Sequence, residues 1–461
     1  MEKIGILAVT YGSRGAAIVD TFLRSEKYCV DLYIADRYRN PLNVNAAREH
    51  VVVPDLNVSD ICRFAARHQD AISFGIVGPE APIIGGVRDV IEKETGIPMI
   101  CPTKEYALEG SKIAQRRLFQ KVVPDVNVRF KVFAPNDYPG IADVKEDLYL
   151  WLDELNDQVA VKPDGVTAGK GVGVWGDHFT DRDQLYEHFL SNFMSGPVIV
   201  EEKVVGEESS FQAFCDGKHL VPLPETRDYK RAFDGDMGPN TGGMGSYKDA
   251  GNWLPFMGRE EWEREVEVAG KLFKGLKGRG SNSSLRGVPF YLAFMHTNRG
   301  LKLLECNSRP GDPEIQNLLP ILKNDLVDVC LRIVEGTLTR VDFEHQATVV
   351  TYKVPPTYGG KVTTFTGNRR VDLSEANKLC ADYRGKMRIY PGALELRDDG
   401  TYVLTSRTAC VVGIADDINR AREISLEGVN AIKGGSLWNR QDIASIEHIN
   451  ESIRHMKMLG C

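Results

Sequence analysis

Short apolar runs alternate with amphipathic stretches along the first hundred residues. The runs have the length of buried strands and comprise Ile4–Val9, Val30–Ile34 and Ala71–Val77. A helical pattern starts at Ala16, after the first glycine-containing turn. Strands that alternate with helices predict a parallel sheet with crossover connections. Ligands bind at the carboxyl ends of such strands, so the loops Gly12–Gly15 and Gly78–Glu80 are predicted to face one site; the alternative is two plain turns.

From residue 104 onward the pattern changes repeatedly between the helical and the extended period. It predicts strands at Gln158–Lys162, Val198–Glu201 and Leu301–Glu305, and helices at Leu108–Gln120 and Ile315–Val334. A further helix is predicted to bury Trp262, Val266, Ala269, Phe273 and Leu276. The last stretch predicts strands at Ala347–Val354, Tyr402–Thr405 and Thr408–Ile414, then a helix from about Asp417. The predicted class is therefore α/β.

Composition narrows the class of protein. The 461 residues are 42% hydrophobic and 26% charged, which is typical of a globular chain of about three domains. A formal net charge of −7 argues against a general nucleic-acid or anionic-membrane binder. No apolar run approaches the ~18 residues of a membrane span, and the N-terminus lacks a secretion signal. Nine scattered cysteines without a CxxC pair indicate free thiols, so we expect a cytoplasmic protein.

A lysine and a glycine-rich loop suggest a polyphosphate site. Lys162 ends a predicted strand, and the following loop to Gly173 contains Gly169, Lys170 and Gly171. Exposed backbone N–H groups and ammonium groups suit phosphates, although the spacing is not that of a P-loop. A plain hairpin turn is the alternative.

Two further segments have the composition of ligand loops. Glu201–Glu208 ends an apolar strand and fits a hinge beside a nucleotide, or a solvated strand edge. Asp234–Gly245 holds too many glycines to build a packed core, so it is predicted to be functional or disordered. The charged side chains of Asp228, Lys230 and Arg231 precede it and suit an anionic or zwitterionic ligand.

The segment Glu305–Glu314 predicts a metal site. Glu305 and Asn307 are two residues apart on an extended chain, so their side chains share a face. Carboxylate and amide oxygens are ligands for Mg²⁺ that is held mainly by phosphates. Arg309 shares that face and can bind a carboxylate with two hydrogen bonds. A strand-end turn with an ion pair is the alternative.

Together these segments resemble the ATP-grasp ligases, and in particular the phosphoribosylamine–glycine ligase family. The resemblance covers roughly residues 1 to 440. The resemblance is most specific in the glycine-rich loop and in the NxRxGDPE pattern. The segments that match the family pattern are Gly78–Ile83, Leu108–Lys112, Val161–Val172, Asp228–Arg231, Asp234–Tyr247 and Asn307–Gln316. It implies an ATP-grasp fold at residues 104–335 with a lid at about 125–198. A parallel-sheet domain at 1–103 precedes that fold, and a small, mostly β domain at 336–461 follows it.

The resemblance also implies a role for each matching residue. Residues that contact ATP would be Lys112, Lys162, Gly169, Lys170, Gly171, Glu201, Lys203, Val204 and Glu208. Mg²⁺ or Mn²⁺ would bind Glu305 and Asn307. Catalysis would involve Asp228, Lys230 and Arg309, and the substrates would be bound by Arg14, Gly78, Glu80, Asn240, Thr241, Gly242 and Gly243. The implied reaction joins glycine to phosphoribosylamine through a glycyl phosphate, in a monomer or small homo-oligomer.

The chain departs from the family pattern in its first two loops, Tyr11–Ala17 and Asp36–Pro41. These loops would bind the amine, so Arg14 and the backbone of Gly12–Gly15 become the candidate phosphate ligands, with Arg37 or Arg39 as substitutes. Two other hypotheses therefore stay open. One is a paralogous ligase that joins glycine, or a similar amino acid, to a different amine, and the other is an ATP-binding protein without activity.

Overall fold

The computed structural model describes residues 1–165, 171–287 and 290–460. Gly169 and Lys170 of the predicted phosphate loop lie outside the described residues. The chain begins with a five-stranded parallel sheet, whose strands in spatial order are Glu49–Val52, Tyr28–Asp36, Glu2–Thr10, Phe74–Val77 and Met99–Ile100. The connecting helices are Gly12–Leu23, Pro41–Ala46, Val58–Arg67, Glu80–Ile84 and Val87–Thr95. The predicted parallel sheet is therefore confirmed.

Both faces of this sheet are buried, which explains its continuous apolar strands. On the first strand, Ile6 and Ala8 point into the core that continues into the C-terminal region. Leu7 and Val9 point into a second core under the helices Val58–Arg67 and Val87–Thr95. The same strand therefore attaches the N-terminal region to the rest of the molecule.

Two element starts in this region were predicted wrongly, because the first helix begins at Gly12 instead of Ala16 and the third predicted strand begins at Phe74 instead of Ala71. Two short strands, Glu49–Val52 and Met99–Ile100, were missed. The first has two polar residues followed by two apolar ones, without alternation, and none of the four is buried. The apolar pattern predicts core strands better than it predicts a short edge strand.

An antiparallel sheet with two helices forms the region predicted to be a lid. Its strands in spatial order are Phe130–Phe133, Val198–Glu202, Val159–Pro163 and Gly173–Val174, and its helices are Ile141–Glu154 and Arg182–Phe193. A separate apolar core fills the space between this sheet and these helices. The region therefore folds around an apolar core of its own, separate from that of the three-stranded sheet.

A three-stranded antiparallel sheet forms the other half of the central region. Its strands in spatial order are Glu207–Phe211, Tyr291–Thr297 and Gly300–Asn307. Helices Lys112–Val122 and Arg259–Lys277 pack against it through a common core. Glu208 and Glu305 thus reach the site from two strands of one sheet.

The predicted helix Ile315–Val334 is two helices. Glu314–Leu318 ends in the short 3-10 turn Leu319–Ile321, and a second helix spans Leu326–Glu335. Pro320 lies in that turn, and the side chain of Asp325 caps the second helix by accepting from the Val327 N–H. A proline and a capping aspartate inside one apolar pattern mark the break.

Two sheets and three helices form the C-terminal region. The larger sheet has the order Arg227–Asp228, Gly245–Lys248, Ala347–Lys353, Ala409–Ala415 and Met387–Pro391. The smaller sheet has the order Leu394–Arg397, Gly400–Val403, Arg370–Asp372 and Lys433–Gly434. The helices are Ser374–Asp382, Ile418–Ala431 and Ile446–Leu459. Because the strands at 227–228 and 245–248 join the larger sheet, residues on both sides of position 335 share one sheet.

Short elements connect these layers. Hairpins join Ala213–Cys215 to Leu220–Pro222 and Arg231–Phe233 to Met237–Asn240. Among residues 1–165, 171–287 and 290–460, no helix is both long and apolar enough to cross a membrane. The eight cysteines in these ranges are free thiols.

A buried carboxyl pair lies between helix Arg259–Lys277 and the three-stranded sheet. Glu225 and Glu265 are both inaccessible to solvent, and Glu265 accepts from Ser209 and contacts His296. Within the described residues, neither oxygen of Glu225 has a hydrogen-bond partner. Burial and the neighbouring Glu265 hold the pKa of Glu225 well above its usual range.

We expect Glu225→Gln to stabilise the protein at neutral pH. A raised folded-state pKa means that stability falls as pH rises above the unfolded value of about 4.3, and glutamine removes that loss. The expected gain is about 1 kcal/mol or more at pH 7, shrinking toward pH 4. Melting curves of both proteins from pH 4 to 8 measure this difference. A constant difference across that range would contradict the assignment.

Candidate active site

Lys162 binds a buried carboxylate at the entrance to the phosphate loop. Its Nζ lies 2.6 Å from Glu201 Oε2, and Arg116 binds both oxygens of Glu201 at 2.6 and 2.9 Å. Burial would raise the pKa of Glu201, but Arg116 and Lys162 lower it to about 2. The Glu201 side chain therefore belongs to this ion-paired cluster, and the backbone of Glu201 belongs to a strand that is paired on both sides.

The strand Val198–Glu202 leads into the predicted nucleotide hinge. Lys203 lies just beyond this strand, and its Nζ donates to the backbone oxygen of Trp175 at 2.6 Å. Its N–H donates to Gln158 at 2.8 Å, and Val204 follows, partly exposed. Both the side chain and the backbone N–H of Lys203 are therefore hydrogen-bonded within the region predicted to be a lid.

Lys112 begins the helix Lys112–Val122 beside the same loop. Its Nζ donates to the backbone oxygen of Gly165, and Asp164 fixes the helix start by accepting from Ser111 Oγ at 2.9 Å. Burial lowers the pKa of Lys112, while Glu305 opposes that shift. Lys112 and Lys162 therefore approach the phosphate loop from two separate segments. Gly171, which ends the undescribed stretch of that loop, has a positive φ of 79°.

Glu305 and Asn307 supply the predicted metal ligands. Their side chains share one face of the last strand, with Asn307 Nδ2 3.3 Å from Glu305 Oε1. In the described part of the chain, no three His, Cys, Asp or Glu side chains form a metal cage. Two hard oxygen donors without a cage fit a divalent cation whose other ligands are substrate phosphates and water.

A second group of charged side chains in the site contains Asp228, Lys230 and Glu208. Lys230 Nζ binds Glu208 Oε1 and lies 3.8 Å from Asp228 Oδ2. Burial lowers the pKa of Lys230, and Glu305 and Glu314 oppose that shift. Burial and the nearby carboxylate of Glu314 hold the pKa of Asp228 well above its usual range. Asp228 Oδ1 has no hydrogen-bond partner among the described residues, so it remains available to a ligand.

Arg309 belongs to a chain of alternating charges that reaches the N-terminal region. Its guanidinium lies 3.0 Å from Glu109 Oε1 and 3.6 Å from Glu80 Oε2. Glu80 also binds Arg14 at 3.1 Å, and Arg14 donates to the Pro310 oxygen at 2.8 Å. Burial would raise the pKa of Glu80, but Arg14 and Arg309 lower it to about 2.

The position of Arg14 changes its predicted role. Its side chain is only 3% exposed, and it already binds Glu80 and Pro310. Gly78 lies beside it, with its N–H bound to the Val9 oxygen at 3.0 Å. Arg14 therefore connects the N-terminal region to the central region. Because its guanidinium is already hydrogen-bonded to Glu80 and Pro310, the predicted direct contact with a substrate phosphate is disfavoured.

The segment from Asn240 to Gly243 lies against Lys230 and Asp228. Thr241 donates through its N–H and its hydroxyl to the Lys230 oxygen, at 2.7 and 2.9 Å. Gly243 has a φ of +101°, and an added Cβ would lie 2.6 Å from Pro313 Cδ and 2.7 Å from Asp228 Oδ1. Only glycine fits there without displacing Asp228.

We expect Gly243→Ala to lower kcat by about a hundredfold, because the added Cβ would displace Asp228, whose predicted role is catalytic, and misplacing a catalytic group by an ångström has an effect of that size. Gly251→Ala is the matched control, since no atom of the described residues lies within 4 Å of its added Cβ. Steady-state ADP release, together with a melting curve, measures both variants. Equal activity of the two variants would show that the Gly243 contact does not matter.

Two residues from the C-terminal region complete the site, and the sequence did not single them out. Tyr358 Oη accepts from the Gly242 N–H at 2.9 Å. Arg407 binds the Asp312 carboxylate at 2.8 Å and donates to the Gly242 oxygen. In the sequence, Arg407 is a charged residue just before the strand Ala409–Ala415. That position alone does not distinguish it from an ordinary residue at the start of a strand.

The architecture and the site define an ATP-grasp ligase. Two family profiles match, described as phosphoribosylglycinamide synthetase N domain over residues 4–109 and phosphoribosylglycinamide synthetase ATP-grasp (A) domain over residues 120–315. Curated relatives named phosphoribosylamine–glycine ligase include those of Methanobrevibacter smithii, 35% identical over 98% of this chain and 99% of the relative, and Pyrococcus abyssi, 33% identical over 99% and 98%. The chain belongs to the phosphoribosylamine–glycine ligase family.

Solved structures agree on the fold. The phosphoribosylamine–glycine ligase of Thermotoga maritima superposes with a TM-score of 0.74 at 22% identity, covering 95% of this chain and 100% of the other. The biotin carboxylase domain of the Hydrogenobacter thermophilus 2-oxoglutarate carboxylase superposes with a TM-score of 0.67 at 14% identity, covering 98% and 93%. That domain was solved in complex with MgADP, ADP and bicarbonate.

Proposed function

We propose that this chain joins glycine to 5-phosphoribosylamine with ATP, which yields glycinamide ribonucleotide, ADP and phosphate in de novo purine biosynthesis. One observation of the site carries the proposal. Three ammonium groups from separate segments enter the site: Lys112 Nζ donates to the Gly165 oxygen, Lys162 Nζ lies 2.6 Å from Glu201 Oε2, and Lys230 Nζ binds Glu208. The carboxylate of Glu305 also opposes the lowering of the pKa of Lys112 and Lys230 by burial. Ammonium groups beside a carboxylate that can bind a metal suit a transferring phosphoryl group.

The chemistry needs positioning and charge neutralisation more than acid–base catalysis. A glycine carboxylate oxygen attacks the γ-phosphorus of ATP, the bond to ADP breaks, and glycyl phosphate forms. The neutral amine of the second substrate then attacks the acyl carbon, loses a proton and expels phosphate. Lys112, Lys162 and Lys230 hold the phosphate charge, and the lid excludes water from the reactive acyl phosphate. A divalent cation on Glu305 and Asn307 supplies further charge neutralisation.

The amino acid is proposed to bind between Asp228, Arg309 and the loop at Asn240–Gly243. Asp228 Oδ1 has no partner among the described residues and can receive the glycine ammonium group. The close approach of Gly243 to Asp228 leaves little space there, which favours the smallest amino acid. Glu208, which holds Lys230, is proposed to share its second oxygen with the ribose of ATP.

The amine phosphate is proposed to bind at the start of helix Gly12–Leu23. Among the described residues no side chain caps this helix, and its first turn holds no acidic residue, so its N-terminus suits an anion. The exposed guanidinium of Arg37 lies 5.1 Å from the centre of the Tyr11 ring, beside that helix start. Arg37 therefore replaces Arg14 as the favoured phosphate ligand.

The function is tested by ADP release with glycine, with and without phosphoribosylamine. Dependence on both substrates supports the proposal, while turnover with glycine and another amine supports a paralogous ligase. Silence with every amine supports a binding protein without activity. Arg37→Ala should raise the KM for phosphoribosylamine about ten- to a hundredfold and leave that for ATP unchanged. Arg63→Ala, an exposed arginine away from these loops, is the control.

We propose Mg²⁺ as the physiological cation and Mn²⁺ as a competent substitute. Both accept the oxygen donors of Glu305 and Asn307, and neither needs a protein cage when phosphates complete the coordination. Titration of turnover with each cation, at fixed ATP, separates them. Equal activity in excess chelator would remove the metal from the proposal.

A further inference from the structure

The last helix, Ile446–Leu459, places three polar side chains on one face. His448, Ser452 and His455 are spaced by four and three residues, so they lie one above the other along the helix. All three contact the strands that carry the site residues, and Ser452 is 3% exposed. Arg454, which lies between Ser452 and His455, points toward solvent.

Toward the C-terminal end of the helix, this face contacts an ion pair. His455 Nδ1 lies 2.6 Å from Glu207 Oε1, and Arg227 binds the other oxygen of Glu207 at 2.5 Å. The same Arg227 nitrogen donates to Ser452 Oγ at 2.8 Å. Burial would raise the pKa of Glu207, but Arg227 and His455 lower it. The helix therefore holds Glu207 and Arg227 together.

Toward the N-terminal end of the helix, the same face contacts Tyr229 and the glycine-rich loop. His448 Nδ1 lies 2.9 Å from Tyr229 Oη, and its Nε2 lies 3.0 Å from Asp236 Oδ2. Tyr229 Oη accepts from the Ala444 N–H at 3.0 Å, so its own proton is free for His448. Asp236 also binds the buried Arg440 at 2.8 Å. Asp236 in the loop thus anchors the C-terminal segment.

Three of the residues that the helix holds are chain neighbours of proposed site residues. Glu207 precedes Glu208, Arg227 precedes Asp228, and Tyr229 precedes Lys230. Neighbouring side chains on an extended backbone point to opposite faces, so one set contacts the helix while the other faces the substrates. A shift of the first set moves the second.

We propose that His455 and His448 are positioning residues for the ligase reaction, in which His455 sets the place of Glu208 and His448 sets that of Asp228 and Lys230. The inference rests on the proposed function, because it assigns Glu208 to ATP and the other two to the amino acid. The C-terminal helix thereby controls substrate affinity without touching either substrate. Loss of one histidine affects mainly the substrate bound by its neighbours.

The test compares His455→Leu and His448→Leu, with Arg454→Leu as the control on the solvent side of the same helix. His455→Leu should raise the KM for ATP about tenfold, and His448→Leu the KM for glycine about tenfold. Arg454→Leu should change neither KM. A merely structural role lowers the fraction of active protein, which reduces kcat but leaves both KM values alone. Unchanged KM values, or equal shifts of both in each variant, overturn the proposal.

Two additions keep the test decisive. His455→Asn retains a donor near the Nδ1 position, so it should restore the ATP KM to within about threefold even if the leucine variant folds poorly. Calorimetry with ATP and Mg²⁺ measures the same His455 effect as a dissociation constant and needs no amine. If wild-type turnover is absent but this constant still rises, the proposed function fails and the positioning role stands.

Discussion

Glu305→Gln is expected to lower turnover by at least about a thousandfold while the fold stays intact. Glutamine keeps the size of the side chain but removes the charge that a divalent cation requires, and metal neutralisation of a phosphoryl group contributes several kcal/mol. Glu305 also acts on Lys112 and Lys230, because its charge opposes the lowering of their pKa. The variant therefore removes one charge from the site and with it the opposition of Glu305 to the lowered pKa of both lysines.

The measurement is Mg²⁺-dependent ADP formation with both substrates, together with a melting curve. Glu260→Gln is the control, because it makes the same change at an exposed first-turn position of helix Arg259–Lys277. The control should keep wild-type activity. Near-normal turnover by folded Glu305→Gln would remove Glu305 from the metal site.

The local chemistry of the site could be predicted from the sequence because it follows from short-range geometry. The alternation of an extended strand put Glu305 and Asn307 on one face, and the structure shows them 3.3 Å apart. The glycine density of Asp234–Gly245 predicted a functional or disordered loop, and Gly243 does approach Asp228 closely. Neither inference required knowledge of distant segments.

Partners that are distant in sequence could not be predicted in this way. Glu201, which is predicted to line the nucleotide, binds Arg116 and Lys162 through its carboxylate. Arg14, which is predicted to bind a phosphate, forms an ion pair with Glu80. In each case the residue type was compatible with a ligand contact, and only the folded chain shows the oppositely charged side chain beside it.

The C-terminal region illustrates the same limit on a larger scale. Its sequence carries no catalytic pattern, yet Arg407 and Tyr358 bind the loop at Gly242 and the last helix contacts the strand beside Asp228. The sheet explains this, because Gly245–Lys248 pairs directly with Ala347–Lys353. Pairing between strands a hundred residues apart leaves no local signal in either strand.

Arg116→Met is expected to cause the largest loss of stability. Arg116 is 1% exposed and donates to Glu201, to Asn127 and to the backbone oxygens of Leu303 and Leu304. Methionine fills much of the volume but leaves Glu201 with Lys162 alone, and removing one partner of a buried ion pair costs about 3–5 kcal/mol. A change of that size should lower the melting temperature by about 10 °C.

The pKa of Glu201 determines how the stability loss in Arg116→Met should change with pH. The pKa of Glu201 is lowered to about 2, so Glu201 contributes stability that is present above its unfolded value of about 4.3 and is lost as pH falls toward 2. Without Arg116 that contribution shrinks, and the melting temperature of the variant should fall less steeply with acid than that of the wild type.

Arg264→Met is the control, because its carboxylate partners are solvent-exposed and such pairs contribute less than about 1 kcal/mol. Parallel acid profiles for Arg116→Met and the wild type would mean that Arg116 does not set the charge of Glu201. Because Leu303 and Leu304 directly precede Glu305, the same variant should also weaken metal-dependent turnover, which couples the stability of this cluster to catalysis.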